Sequence, residues 1–262
     1  MDTGTVGRAG RLLGTGALVA ALVSGAVGCA NGPDAAAAAV PAAPVPVAST
    51  CTNLLKIDAV PPPEVDPAGV SDPAAVRAWA GRILPLLDSA LATAPADLRP
   101  TLTSLQGVLR STAATGTASP EDAPVVARSV NEYETWAYDN CGYQQLLVTA
   151  TEYRLDGVPA ALRTGPTAVR LVNRSTAGLF HGVLIVRPKD QALTLAQVRA
   201  MPPEQLATQV DVVPGSATAA PGEQAGMLVD LEPGRYFVLC PLGDGNGPPH
   251  LTRGMVAEVS VG

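Results

Sequence analysis

Hydrophobic positions change their spacing twice along this chain. Residues 12–28, LLGTGALVAALVSGAVG, are a nearly continuous apolar run preceded by Arg8 and Arg11, the order of a secretory signal. The following ANGPDAAAAAVPAAPVPVAST is rich in Ala and Pro and has no amphipathic period, which predicts a disordered tether over 29–50. At about 3.1 Å per residue in a polyproline-like conformation, such a tether would reach roughly 60 Å.

From Cys51 to Gly142 the apolar residues fall at helical spacing. Leu84, Leu87 and Leu91 keep one face in AAVRAWAGRILPLLDSALATA, and Ser71-Asp72-Pro73 supplies a start signal. ADLRPTLTSLQGVLRST and SPEDAPVVARSVNEYETWAYDNC also begin at capping-type residues, and Gly142 closes the last. Pro85 should kink the first helix, whereas Pro100 lies in an opening turn that tolerates it. The Leu, Val and Trp positions predict a helical-bundle core, and no catalytic constellation lies among them.

At Tyr143 the period shortens. QQLLVTATEYRL, TAVRLVNRS, LFHGVLIVRP, GMLVDLEPGRYFVLC and GMVAEVSV alternate and are separated by DG, TG, PG and EPG turns, which predicts strands. LTLAQVRAMPPEQLATQV between them reads as a helical or irregular excursion from the sheet. The expected fold class is therefore α+β in two domains: a small helical bundle over 51–142 and a Greek-key β-sandwich over 143–262.

Composition narrows the partners. The 262 residues are 47% hydrophobic and 15% charged, with a net charge of -6 and no basic run, so a phosphate-binding surface and a nucleic-acid partner are not expected. AVGC at Ala26–Cys29 resembles a bacterial lipobox, which implies cleavage after residue 28 and lipid attachment at Cys29. Removing 1–28 takes away Arg8, Arg11 and Asp2 and leaves the chain more acidic still. The expected location is extracytoplasmic, anchored to the cell membrane through Cys29, or secreted if the lipobox is not used.

The other three cysteines stand at the end of the tether, at a helix end and at a strand end. In an oxidising compartment the natural pair is Cys51 with Cys141, although sequence alone leaves the pairing open. That pairing leaves Cys240 without a partner, and an unpaired thiol outside the cytoplasm needs burial or a metal. Cys240 is followed by His250 and Met255 in CPLGDGNGPPHLTRGM, and the chain's other histidine is His181. Thiolate, imidazole and thioether together favour copper over hard cations.

These residues resemble the cupredoxins, the blue-copper β-sandwiches that include plastocyanin. In that family one histidine ligand follows an apolar-Asn-polar element on an inner strand, as in TAVRLVNRSTAGLFHGVLIVRP, and this puts His181 in the first-ligand position. The remaining ligands follow a glycine-led strand near the C-terminus, as in LEPGRYFVLCPLGDGNGPPHLTRGMVAEVSV, which gives Cys240, His250 and Met255. The resemblance covers about 144–262 and implies one copper ion used for electron transfer or copper handling, with a redox or envelope protein as partner. It departs from the family in the nine residues between Cys240 and His250, where plastocyanin-like loops are much shorter.

The alternative is a metal-free cupredoxin-like module that binds a protein or small ligand in the envelope. A zinc site from Cys240, both histidines and Asp244 uses the same donors. Enzymatic chemistry is not expected: there is no Gly-x-Ser-x-Gly, and GDGNG lacks the Lys and helix start of a P-loop as well as the bidentate Glu of a calcium loop.

Overall fold

Side-chain caps open two of the described helices, at Asp72 and Thr194, whereas the helices that follow Leu98 and Asp122 start without one. The computed structural model describes residues 45–64, 71–245 and 247–262, so the signal segment, the lipobox at Cys29 and most of the tether lie outside the described residues. Helix α1 runs Val45–Asp58 and begins six residues before the expected boundary at Cys51. Its residues Thr50, Cys51, Leu54 and Ile57 are buried at helical spacing, and that burial holds the end of an Ala/Pro segment in a helix that its composition did not announce. Helix α2 (Pro73–Thr93) starts on an Asp72 cap that accepts the Ala74 amide, with Pro73 in the first turn, and it continues through Pro85. Helices α3 (Arg99–Thr115) and α4 (Ala123–Asn140) complete the bundle, α3 turning inward Leu102, Leu105 and Leu109. Cys51 and Cys141 are joined by a disulfide, with Cα atoms 5.6 Å apart. Closing a loop of 90 residues stabilises the fold by about 4 to 5 kcal/mol in the chain-entropy picture, an upper figure.

The sandwich follows immediately. Its strands are β1 (Gln144–Thr151), β2 (Arg154–Asp156), β3 (Ala161–Leu162), β4 (Gly165–Asn173) and β5 (His181–Pro188). After the short helices α5 (Leu195–Ala200) and α6 (Pro203–Gln209) come β6 (Val210–Val212), β7 (Ala217–Ala219), β8 (Gln224–Leu231), β9 (Gly234–Leu239) and β10 (Val256–Val261). One sheet has the order β2-β1-β4-β8, and the other β3-β10-β9-β5-β6 with β7 also paired to β5. The pairing is mixed: β1 runs parallel to β4 and β3 parallel to β10. All described residues belong to one compact unit, Val40–Gly262.

Period-two alternation explains the layering. Val169 and Leu171 of β4, Met227 and Val229 of β8, Val183 and Ile185 of β5, and Tyr236 and Val238 of β9 meet between the sheets. Their neighbours point the other way. Ala168 and Leu228 join the helical core, whereas Val186, Phe237 and Leu239 pack under α5 and α6 through Val198 and Leu206. Helices therefore cover the outer face of each sheet.

Where the bundle meets β8, the backbones come very close. A Cβ at Gly226 would lie 2.6 Å from the Glu134 Cβ, so this strand position accepts only glycine without movement. Beside it, Asp58 Oδ2 accepts the Leu228 amide at 3.0 Å and the other carboxylate oxygen accepts the Tyr133 hydroxyl. The α1 terminus thus satisfies a donor of an edge strand. Burial pushes the Asp58 carboxyl up to about 7, against the hydrogen bonds from Tyr133 and Leu228, and burial with the nearby Asp58 also raises Glu134. An acid whose pKa is higher folded than unfolded stabilises the fold at low pH. That contribution is complete below about 4 and is lost as pH rises through the folded value near 7. Urea unfolding of Asp58→Asn beside the wild type should show a flatter decline in midpoint between pH 4 and 7; parallel profiles would contradict this coupling.

Candidate metal centre

The inward alternation of β9 does not stop at its last paired residue. Tyr236, Val238 and Cys240 continue one series into the space between the sheets, as His181, Val183 and Ile185 do along β5. Because β5 and β9 are antiparallel neighbours, these two series bring His181 and Cys240 to the same end of the sandwich. Both residues are fully buried. The Gly182 amide donates to Cys240 Sγ at 3.2 Å, and the Cys240 amide donates to the Met255 carbonyl at 3.0 Å. Met255 therefore stands across from Cys240 on the neighbouring strand end, and it is buried in the same apolar cluster.

The long loop brings His250 back. Gly243 and Pro249 bridge across its neck, and the His250 amide donates to the Leu242 carbonyl. A Cβ at Gly243 would lie 2.6 Å from the Gly247 carbonyl oxygen, so glycine lets the two arms of the neck close. His250 opens a short 3-10 turn, His250–Arg253, which returns the chain to Met255 and β10. The extra residues form an excursion outside the neck, and the distance in sequence costs nothing in space. His250 is only 1% exposed.

The outcome is a cluster of three donors. His250 Nδ1 lies 3.2 Å from His181 Nδ1 and 3.5 Å from Cys240 Sγ, and all three donor atoms fall within 4.8 Å of one another. An ion about 2 Å from each nitrogen and about 2.3 Å from sulfur, in trigonal coordination, separates its ligands by roughly 3.5 to 3.7 Å. The donor set therefore fits a soft or borderline ion such as copper with little movement. His181 Nε2 has no hydrogen-bond partner among the described residues, so the ring's polar engagement is at Nδ1, on the cluster. Burial lowers the His181 pKa, with the facing His250 as second cause, and burial raises that of Cys240 against the Gly182 amide. The site favours a neutral imidazole and a protonated thiol until a cation is present.

Asp244 does not join the donors. Its Oδ1 accepts from His250 Nε2 at 2.7 Å, on the ring edge opposite Nδ1, so the weighed zinc set that included Asp244 is corrected. The other carboxylate oxygen accepts the Tyr153 hydroxyl at 2.7 Å and Arg253 Nη1 at 2.8 Å. The Arg253 guanidinium lies 4.5 Å from the Tyr153 ring centre, and Tyr153 meets His250 edge-on with centroids 5.4 Å apart.

A second group of residues holds the chain ahead of His181. Asn173, buried at the end of β4, donates to the Leu179 and Ala219 carbonyls at 2.8 and 2.9 Å and accepts the Ser175 amide at 2.9 Å. Glu152 Oε1 accepts the Thr176 and Ala177 amides, and donors headed by its own backbone amide hold its carboxyl down to about 2. Between this loop and β5, Phe180 is 57% exposed.

The sequence had pointed to Asn173 only as a member of a pattern, and to Glu152, Tyr153, Arg253 and Gly182 not at all. No spacing signal marks them; Tyr153, in the turn TEYR between β1 and β2, takes a left-handed backbone with φ of 56°, unusual for an aromatic residue.

Comparisons with known proteins address the sandwich. The chain is similar over 45% of its length to reduced auracyanin from Roseiflexus castenholzii, at 22% identity, 97% of that chain and a TM-score of 0.33. Similarity over the same share extends to auracyanin A, a blue copper protein from Chloroflexus aurantiacus, at 15% identity, 98% of that chain and a TM-score of 0.31. An azurin from Methylomonas sp. strain J follows at 13% identity, 98% of that chain and 0.30. No protein-family profile matches the sequence, and no curated relative does. The sandwich of this chain carries an inward histidine at the start of one strand and a Cys-His-Met loop closing the last two.

Replacing Asn173 tests how the first half of the site is held. Asn173→Ala leaves two carbonyls and one amide without their partner, so a loss of about 2 to 4 kcal/mol in urea unfolding is expected. A change within about 0.5 kcal/mol would show that the loop does not depend on it.

Proposed function

We propose that this chain is an envelope copper protein, a carrier of electrons or of copper and not an enzyme, in which His181, Cys240 and His250, with Met255 beside them, would hold the ion. The convergence of two Nδ1 atoms and one sulfur in a fully buried pocket carries this reading. Copper, when bound, supplies a one-electron couple and a thiolate-to-metal absorption. The chain's part is to keep the donors in place: Gly182 fixes the sulfur, Asp244 fixes the His250 ring, and the Asn173 loop fixes the approach to His181. A rigid sandwich that offers the same geometry to both oxidation states needs little rearrangement on electron transfer.

The lipobox at Ala26–Cys29 supports membrane attachment through a lipid on Cys29, with the folded part outside the cytoplasm and a redox or envelope protein as partner. Among the described residues no helix is long and apolar enough to cross a membrane.

A second reading, a metal-free binding module, is favoured by one feature. A cleft of about 760 Å³ lies between the bundle and the sandwich, lined by Val76, Trp79, Leu109, Val126, Val130 and Ala225. The two readings separate in one titration. Cu(II) added to the mature protein should bind one to one with an intense visible band, raise the thermal midpoint, and give no such band in Cys240→Ser. A colourless titration without stoichiometric copper, and an unchanged midpoint, would leave the module reading standing alone.

A further inference from the structure

The Asp244 group has a geometry of its own. Three donors from two places, the β1–β2 turn and the His250–Arg253 turn, converge on one carboxylate: His250 Nε2 on Oδ1, and the Tyr153 hydroxyl and Arg253 Nη1 on Oδ2. An ionised carboxylate only accepts, so His250 carries its proton on Nε2 and its Nδ1 is the free lone pair. That lone pair faces His181 and Cys240. Tyr153 is fixed in turn by its place in the β1–β2 turn and by the guanidinium over its ring. Asp244 itself sits just outside the loop neck that Gly243 and Pro249 close, so the inserted residues are what deliver it.

We infer that Asp244, held by Tyr153 and Arg253, is a positioning residue that pre-sets the His250 tautomer for copper and places a negative charge one hydrogen bond from the ligand ring. This rests on the copper reading above. A carboxylate on the outer nitrogen makes an imidazole a more basic ligand, and the gain is larger for the more highly charged ion. The inserted loop thereby biases the site toward Cu(II). It also covers His250, whose ring has no open edge toward solvent.

Two measurements on the whole mature protein test this. The first uses no copper: long-range proton–nitrogen NMR of the apo protein reads the tautomer of each histidine. Wild-type His250 should be protonated on Nε2 alone, and Asp244→Ala should mix the two tautomers while Tyr153→Phe retains mostly the wild-type form. A wild-type His250 protonated on Nδ1, or already mixed, would overturn the inference whatever copper does. The second measures Cu(II) and Cu(I) affinities by competition with chelators. Asp244→Ala should lose about 10- to 100-fold in affinity for Cu(II). In Asp244→Asn, which keeps the shape, the loss should be greater for Cu(II) than for Cu(I), and a tenfold difference between them raises the reduction potential by about 59 mV. Equal losses for both ions, or none, would overturn the charge bias. If wild-type protein binds neither ion, the copper reading falls and takes the bias with it, while the tautomer result still reports on the clamp.

Discussion

The hydrogen bond from the Gly182 amide to Cys240 Sγ ties together the two strands on which the whole site depends. It exists because β5 and β9 are neighbours in register and because β5 turns its odd-numbered and β9 its even-numbered residues toward the other sheet. A slip of one residue in either strand would send His181 or Cys240 to the outer face, into the layer occupied by Phe237 and Leu239. The apolar packing between the sheets, from Val183 and Ile185 to Tyr236 and Val238, resists that slip. Core packing and ligand placement are therefore one constraint here, and the sulfur is an inward core position that carries chemistry.

The loop from Cys240 to Met255 shows how a long insertion can leave a site intact. Loop length by itself costs little free energy if the ends are fixed. The ends are fixed here by the Gly243–Pro249 bridge and by the bonds that link His250, Leu251 and Met255 to Leu242, Cys240 and His250. What the insertion adds is Asp244 and the cover over His250. On the other side of the sandwich, the bundle packs its α4 against β8 at Gly226 and places Asp58 on an edge amide, so the helices brace the sheet opposite the one that carries the donors.

Much of this was legible in the sequence for particular reasons. Alternation, or a short apolar run bounded by turn residues, marked β4, β5, β8, β9 and β10, since a strand buried on one face alternates and one buried on both faces reads as a continuous run. The resemblance of VNRSTAGLFH and CPLGDGNGPPHLTRGM to cupredoxin elements named all three residues of the observed cluster and placed Met255 beside them. Helix α1 escaped because Pro, Val and Ala at its start carry no helical period, and only burial of Cys51 and Leu54 against the bundle holds it. Tyr153 and Asp244 escaped for another reason: they are 91 residues apart, and their hydrogen bond is made by folding. Asp244 was visible as a possible ligand but not as a partner of the far nitrogen, since no spacing rule tells which edge of a histidine a carboxylate will meet.

The claim at the centre of this account is that His181, Cys240 and His250 hold one copper ion together. X-ray absorption at the copper edge of the loaded mature protein tests it most directly. The expected shell is two nitrogen neighbours near 2 Å and one short sulfur at roughly 2.1 to 2.3 Å, with the sulfur absent in Cys240→Ser. A shell of nitrogen and oxygen alone in the wild type would contradict it.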